Sequence, residues 1–474
     1  MTPETPAPVR FHPFVTFLCW LIVLFTFLLI SIFSFTAHPL DLVKSPEKSL
    51  SLVGERSIEL LEARARLPLW ENRFYTLYNG LSNREEETDE IIKWNEEMAN
   101  YSHEPATQIH LAVLEGETGR LDKLEKRTAL WKNLREPLPR LAPLIQSAYL
   151  ETPLPEDGLA YKPILKEVLA PGWFRSRLLE KLARKTGETS FADRIARTLS
   201  LESTKLLQRY RRLVLLDLSL GALFYTALFL FIKRRSETWR IGAAPLPPMW
   251  RGRTAATVLV RGAAVGSLIS FGFLFFSRAD GPFGELLSSV LASLPVILLG
   301  YRHLIAPYGL SFRQGFGLSL PTGQLKRLIF ITLTGMGIDL FGGWTISLLS
   351  GYLNLPNHWV ESFDSSIVWG NSLWLAGGLI GNVLFAPFSE ELIFRGFLYG
   401  SLRRKFGWLL SAVLSAGVFS ALHGYGAMGF LTVFWSGAVW AWMYEKSGSL
   451  LPGMIGHAFN NLVFSATLIV MLRI

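Results

Sequence analysis

The chain has one cysteine, Cys19, among its 474 residues, and it lies inside an apolar run. A single thiol cannot form an intramolecular disulfide, nor can it supply the paired cysteines of a structural zinc site. Charged residues are also scarce, at 18% of the chain against about 25% in a typical soluble domain. These shortages exclude disulfide-stabilised, zinc-finger and ordinary soluble proteins.

Most of the acidic residues lie in one segment. Residues 41–210 hold 27 of the 38 acidic and 26 of the 47 basic residues. The rest of the chain carries too few charges for a water-exposed surface, so we expect it to lie in lipid. The net charge of +9 does not indicate nucleic acid binding, because no basic stripe carries interleaved aromatic residues. The lipid bilayer is therefore an expected partner, and nucleic acid is not.

Apolar runs of about 20 residues, the length that crosses a bilayer as a helix, predict about nine transmembrane spans. The first run is too long for a signal-peptide core and has no small-x-small cleavage pattern, so it is expected to remain as an anchor. The predicted fold is all-α, a polytopic transmembrane helix bundle. The predicted spans are Phe14–Phe35, Leu213–Ile232, Ala255–Phe276, Leu286–Leu304, Leu328–Leu349, Ile367–Phe388, Leu409–Leu422, Phe430–Tyr444 and Leu450–Leu472.

The charged segment has a helical pattern, with apolar residues recurring three and four positions apart. It is predicted to be a helical domain inserted between the first two spans. Its histidines, His103 and His110, have no partner at ligand spacing and are expected to be surface residues. The predicted divisions are an N-terminal anchor at 1–40, the inserted domain at 41–210, the second span with a linker at 211–253, and a membrane core at 254–474.

Basic residues cluster in alternate loops between the predicted spans. By the positive-inside rule this set of loops is cytoplasmic. The amino terminus is then cytoplasmic and residues 41–210 are extracytoplasmic, in what we interpret as a bacterial inner membrane. The core loops on which the orientation rests contain Arg302, Arg313, Lys326, Arg327, Arg403, Arg404, Lys405 and Lys446.

A few polar residues follow or interrupt the apolar runs of the core. Ionisable groups in a span are costly and indicate function or pairing. Glu391 and Arg395 are four residues apart on a helix, so they share a face and can neutralise each other. Glu390 is rotated by about 100° from Glu391. It is left as an unpaired carboxylate suited to general-base work.

Two later spans carry histidines. His457 and Asn461 are four residues apart and share a face of the last span. Counted from the basic loops at a helical rise of about 1.5 Å per residue, Glu390, His423 and His457 all lie well inside the membrane. We expect them to converge there.

A carboxylate, two imidazoles and a carboxamide that converge in this way can hydrolyse a peptide bond by two mechanisms. Glu390, His423 and His457 can hold a divalent metal such as zinc, with an open position for water. Alternatively, Glu390 and His423 activate water directly, while His457 and Asn461 donate hydrogen bonds to the developing oxyanion. The residue types are compatible with both, so the cofactor is either one metal ion or none.

Three motifs lie in order on separate predicted spans: Glu390-Glu391-Leu-Ile-Phe-Arg395, Phe419-Ser-Ala-Leu-His423 and His457-Ala-Phe-Asn460-Asn461. They resemble the EExxxR, FxxxH and HxxxN/D pattern of the CAAX protease and bacteriocin-processing enzymes, also called the Abi family. The resemblance covers roughly residues 250–474. It implies a polytopic intramembrane endopeptidase acting on membrane-associated proteins or peptides.

The resemblance also implies roles for the matching residues. Glu390 and His423 would activate water. His457 and Asn461 would stabilise the oxyanion or bind a metal. Three supporting residues, Glu391, Arg395 and Phe419, would hold the site together and pack beneath it.

Two other functions remain open. A non-catalytic scaffold or immunity-type protein could keep this core for its fold alone. A proton-coupled transporter could use Glu390, His423 and Asp339, which lies inside a predicted span, as an ion path.

Overall fold

The structure is a computed structural model, and it describes residues 10–79, 84–154, 161–234, 239–242, 244–276, 281, 283–353 and 358–473. Within these ranges the regular secondary structure is helical and contains no strand. The all-α prediction is confirmed. Backbone contacts divide the chain into two compact units. The inserted unit is made mainly of residues 40–214, and the membrane unit mainly of residues up to 39 and 215–469.

The inserted unit follows the N-terminal helix and is built from helices of 8 to 20 residues together with the first part of a longer one. Its interior is apolar, and Trp131, Trp173 and Leu178 are almost fully buried there. The boundary between the units falls after residue 214, within the helix Thr189–Lys233. The N-terminal helix is α1 (Pro13–Thr36). The helices that follow it are α2 (Pro46–Ala65), α3 (Leu69–Tyr78), α4 (Arg84–Tyr101), α5 (Pro105–Glu117), α6 (Leu121–Trp131), α7 (Leu138–Tyr149), α8 (Tyr161–Val168), α9 (Trp173–Lys185) and α10 (Thr189–Lys233).

One histidine of the inserted unit differs from expectation. His103 is exposed, but His110 stacks its ring on Phe174 of α9, with ring centroids 4.1 Å apart. Burial lowers the pKa of His110 to about 4. The expectation of an ordinary surface histidine is wrong at His110, because α9 covers that face of α5.

The membrane unit contains longer and more apolar helices. One of them runs from Ser372 to Arg403 and alternates between α and π geometry. The α-helical segments are α11 (Gly252–Phe276), α12 (Gly284–Gly300), α13 (Phe312–Gly315), α14 (Leu325–Leu353), α15 (Ser365–Trp369), α16 (Ser372–Leu379), α17 (Ala386–Glu390), α18 (Gly400–Arg403), α19 (Trp408–Ala421), α20 (Ala427–Ser447) and α21 (Leu451–Leu468), and the π segments are Tyr301–Ile305, Ile380–Phe385, Glu391–Tyr399 and Ile469–Arg473.

Seven helices in the described part of the chain are long and apolar enough to cross a membrane. They correspond to seven of the nine predicted spans. The other two predicted spans fall on α19, which is apolar but short, and on α20. The polytopic helical bundle is confirmed as a class.

One predicted span begins at the wrong residue. The run Ile367–Phe388 is broken because α15 ends at Trp369 and a new helix starts after Asn371. The Asn371 side chain accepts hydrogen bonds from the backbone N–H groups of Leu373 and Trp374, at 3.0 and 3.1 Å. This N-cap satisfies amides that the helix cannot pair internally, so the helix starts here.

Small residues allow the membrane helices to approach closely. A Cβ added at Gly262 of α11 would lie 2.6 Å from Val296 Cα of α12, and one at Gly266 would lie 2.4 Å from the Ala292 carbonyl oxygen. Such contacts suit helices in lipid, where association depends on van der Waals packing rather than on the exclusion of water.

Acidification is expected to weaken the inserted unit through His110. Its folded pKa is about 4 and the ordinary value is about 6.5, so the unfolded chain binds more protons between these limits. The free energy of unfolding therefore keeps its full value above pH 6.5. Below pH 6.5 it decreases, by about 2 kcal/mol at pH 5. Hydrogen exchange of the peptide 105–117, corrected for intrinsic rates, measures this loss in the full-length protein.

His110→Leu should remove this pH dependence, and His103→Gln should keep it. An equal loss of protection on acidification in wild type and His110→Leu would show that another group is responsible.

Candidate active site

The helix that carries the glutamates has irregular geometry around them. Residues 380–385 and 391–399 are π-helical and flank the short α segment that ends at Glu390. π segments within α-helices occur frequently at functional sites. Here the change in geometry falls between Glu390 and Glu391.

Glu391 and Arg395 form an ion pair without solvent exposure. Arg395 Nη1 donates to Glu391 Oε1 at 2.9 Å, and both side chains are 0% exposed. The pairing inferred from the four-residue spacing is present. A buried ion pair is retained only with good geometry, because the cost of desolvation is large.

Aromatic rings and a glycine enclose the guanidinium. Arg395 Cζ lies 4.2 Å from the centre of the Phe419 ring and 5.0 Å from that of Trp440. Its Nε donates to the Gly437 carbonyl oxygen at 3.3 Å. Aromatic faces attract a cation, and the attraction is stronger where water is excluded.

His457 lies between the two glutamates. Its Nδ1 is 3.2 Å from Glu391 Oε1, and its Nε2 is 3.8 Å from Glu390 Oε2. The imidazole stacks on Trp440, with centroids 4.0 Å apart. Because an ionised carboxylate only accepts hydrogen bonds, Glu391 holds the Nδ1 proton and directs Nε2 towards Glu390.

The two glutamates differ in their access to solvent. The Glu390 side chain is 30% exposed, whereas that of Glu391 is fully buried. Glu390 can therefore reach a water molecule, and Glu391 is occupied by Arg395 and His457.

His423 reaches the same region from the end of α19. Its Nδ1 is 2.8 Å from the Phe419 carbonyl oxygen, and its ring packs edge-on against the Phe419 ring at 4.7 Å. A carbonyl oxygen only accepts, so Nδ1 carries a proton and Nε2 has a free lone pair. His423 also lies close enough to Glu390 to interact with it electrostatically.

The neighbouring asparagines of α21 have different partners. Asn461 Nδ2 donates to the Asn382 carbonyl oxygen at 2.7 Å. Asn460 Nδ2 donates to Asp339 Oδ2 at 2.6 Å, and the Ser436 hydroxyl donates to Asp339 Oδ1 at 2.7 Å. Asp339 thus links three helices. It lines a cavity of about 330 Å³ with Ser436 and Asn460.

Sequence reasoning missed Trp440 and Gly437. Both stand in the apolar run of α20, where a tryptophan or glycine cannot be told from ordinary packing residues. A Cβ at Gly437 would lie 2.6 Å from Arg395 Nη2. A side chain at this position would crowd the guanidinium.

The donor set does not fit a metal ion. Within the ranges that the structure covers, no three His, Cys, Asp or Glu side chains form a group that could hold a metal. Glu390, His423 and His457 are near one another without forming such a cluster.

Residues 372–463 match the family model described as type II CAAX prenyl endopeptidase Rce1-like. This segment is an Rce1-like domain. The matched range includes all three motifs and confirms the resemblance inferred from them, over a shorter segment than expected. At family level the Rce1-like domain supports a CAAX-type intramembrane endopeptidase. No curated protein and no solved structure matches the chain significantly.

Removing Arg395 from the Rce1-like domain should destabilise it strongly. Arg395→Met leaves the Glu391 carboxylate buried without its cation, which costs about 3–5 kcal/mol in comparable buried pairs. The matched control is Arg403→Met, since Arg403 pairs with Glu445 in a more exposed position. That change should cost about 1 kcal/mol or less. Thermal unfolding of both purified variants in detergent measures the difference, and equal losses would contradict a special role for the buried pair.

Proposed function

We propose that the chain is an intramembrane endopeptidase that hydrolyses peptide bonds of membrane-associated proteins or peptides. The observation that carries the proposal is the position of Glu390, partly exposed and facing His457, beside the fully buried Glu391–Arg395 pair. The Rce1-like match over the same residues supports the reaction class.

In the proposed reaction Glu390 is the general base. Its carboxylate takes a proton from a water molecule whose oxygen attacks the scissile carbonyl carbon. The lone pair on His423 Nε2 accepts a hydrogen bond from this water and holds it in place. General-base assistance of this kind contributes about 10²–10⁴-fold to a rate.

His457 and Asn461 are proposed to stabilise the oxyanion. With a proton on Nε2 as well as on Nδ1, His457 can donate a hydrogen bond to the oxyanion. The Asn461 amide has two N–H groups, of which one donates to the Asn382 carbonyl and the other remains for the oxyanion. When the tetrahedral intermediate collapses, the C–N bond breaks and Glu390 returns its proton to the leaving nitrogen.

Glu390→Gln should abolish cleavage without unfolding the protein. An amide has nearly the size of the carboxyl group but cannot accept the proton, so we expect a rate loss of at least about 10²-fold. The measurement compares amino and carboxy termini in the membrane proteome of cells expressing either form at equal levels. Termini that appear only with the wild type would also identify the substrate.

The matched control is Glu285→Gln, at an exposed position near the start of α12. It should leave every new terminus in place. Identical termini with wild type and Glu390→Gln, with both proteins folded, would favour a scaffold. A pH-dependent ion flux lost in Glu390→Gln would favour a transporter.

Removal of metal ions should leave the cleavage rate unchanged, because Glu390 and His423 act on water directly in this mechanism. The test incubates the purified enzyme with 1,10-phenanthroline and follows cleavage of a substrate identified from the termini. A loss of activity that added zinc restores would instead assign Glu390, His423 and His457 as metal ligands.

A further inference from the structure

Helix α3 of the inserted unit has an exposed apolar face. At 100° per residue, Leu69, Trp70, Phe74 and Leu77 fall on one side of this helix. All four side chains are exposed, and Trp70 is 71% exposed. An apolar surface of this kind on a short helix marks a contact with a protein or with a membrane.

The opposite face of α3 is attached to α10. Glu71 Oε1 pairs with Arg211 Nη2 at 2.6 Å, and the rings of Tyr75 and Tyr210 are 5.2 Å apart. The Tyr210 hydroxyl also donates to Asn79 Oδ1 at 2.7 Å, just past the end of α3. These contacts hold α3 against residues 210 and 211 of α10.

Residues 210 and 211 of α10 lie immediately before its apolar stretch. The run that begins at Leu213 follows Arg211 by two residues, which is about 3 Å along a helix axis. Leu215 and Leu216 are exposed, as expected for side chains that face lipid. A helix that passes from arginines into such a run crosses the membrane surface at this point.

We propose that the face formed by Leu69, Trp70, Phe74 and Leu77 lies in the interfacial layer of the bilayer and docks the inserted unit on lipid. Tryptophan is enriched at this depth, and amphipathic helices bury one apolar face there. Arg73 lies between Leu69 and Leu77 on the wheel and is exposed. Its long side chain reaches lipid phosphates while its methylene groups remain in the interface.

Fluorescence quenching by lipids tests this surface in the full-length protein. Cys19→Ala removes the sole cysteine, and Trp70→Cys or Leu130→Cys then takes an environment-sensitive fluorophore. Leu130 is a matched control, since it is a 67% exposed apolar residue of the same unit. The proteins are reconstituted in phosphatidylethanolamine and phosphatidylglycerol vesicles that contain a lipid with a nitroxide near the headgroup.

We expect several-fold stronger quenching at position 70 than at position 130. Arg73→Cys provides a second label that keeps all four apolar residues, so a negative result at position 70 cannot be attributed to loss of Trp70. Equal and weak quenching at positions 70, 73 and 130 would overturn the proposal. Protection of position 70 from iodide without quenching by the lipid would also overturn it, because a second copy or another protein would then cover the face.

Discussion

The site depends on the burial of Glu391 together with Arg395. Neither charge is exposed, so each must be stabilised by the other because water cannot solvate it. Phe419 and Trp440 place their rings against the guanidinium, and His457 contacts the same carboxylate oxygen. The helices that contribute these residues are thereby held in one arrangement. The proposed catalytic groups are positioned by an interaction that takes no part in the proposed reaction.

Two consecutive glutamates acquire different properties from this arrangement. Glu391 points into the bundle, where its Oε1 contacts both Arg395 and His457, while Glu390 points towards solvent and His457. Both residues have right-handed helical backbone angles, so their side chains point about 100° apart around the helix. A carboxylate that is buried beside an arginine is a poor base, whereas one that can reach water is a better one. The proposed division between a supporting and a catalytic glutamate thus follows from the different directions of two adjacent side chains on one helix.

The two units differ in where they place apolar side chains. The inserted unit buries Trp131 and Trp173 and keeps most charges outside, as a soluble domain does. The membrane unit leaves apolar side chains on its surface and uses glycines such as Gly262 for close helix contacts. Helix α3 combines both patterns, with Tyr75 buried in the unit and Trp70 exposed. That combination suits a helix at the boundary between water and lipid.

The sequence by itself determined the helical class, most span positions, the Rce1-like motifs and the pairing of Glu391 with Arg395. These features depend on composition and on local spacing, and local spacing is set by the regular pitch of a helix. Only the tertiary structure decided that His457 contacts Glu391 and Trp440, and that His110 is covered by α9. Such partners are distant in the chain, and their contact depends on how whole helices pack rather than on any repeat within one helix.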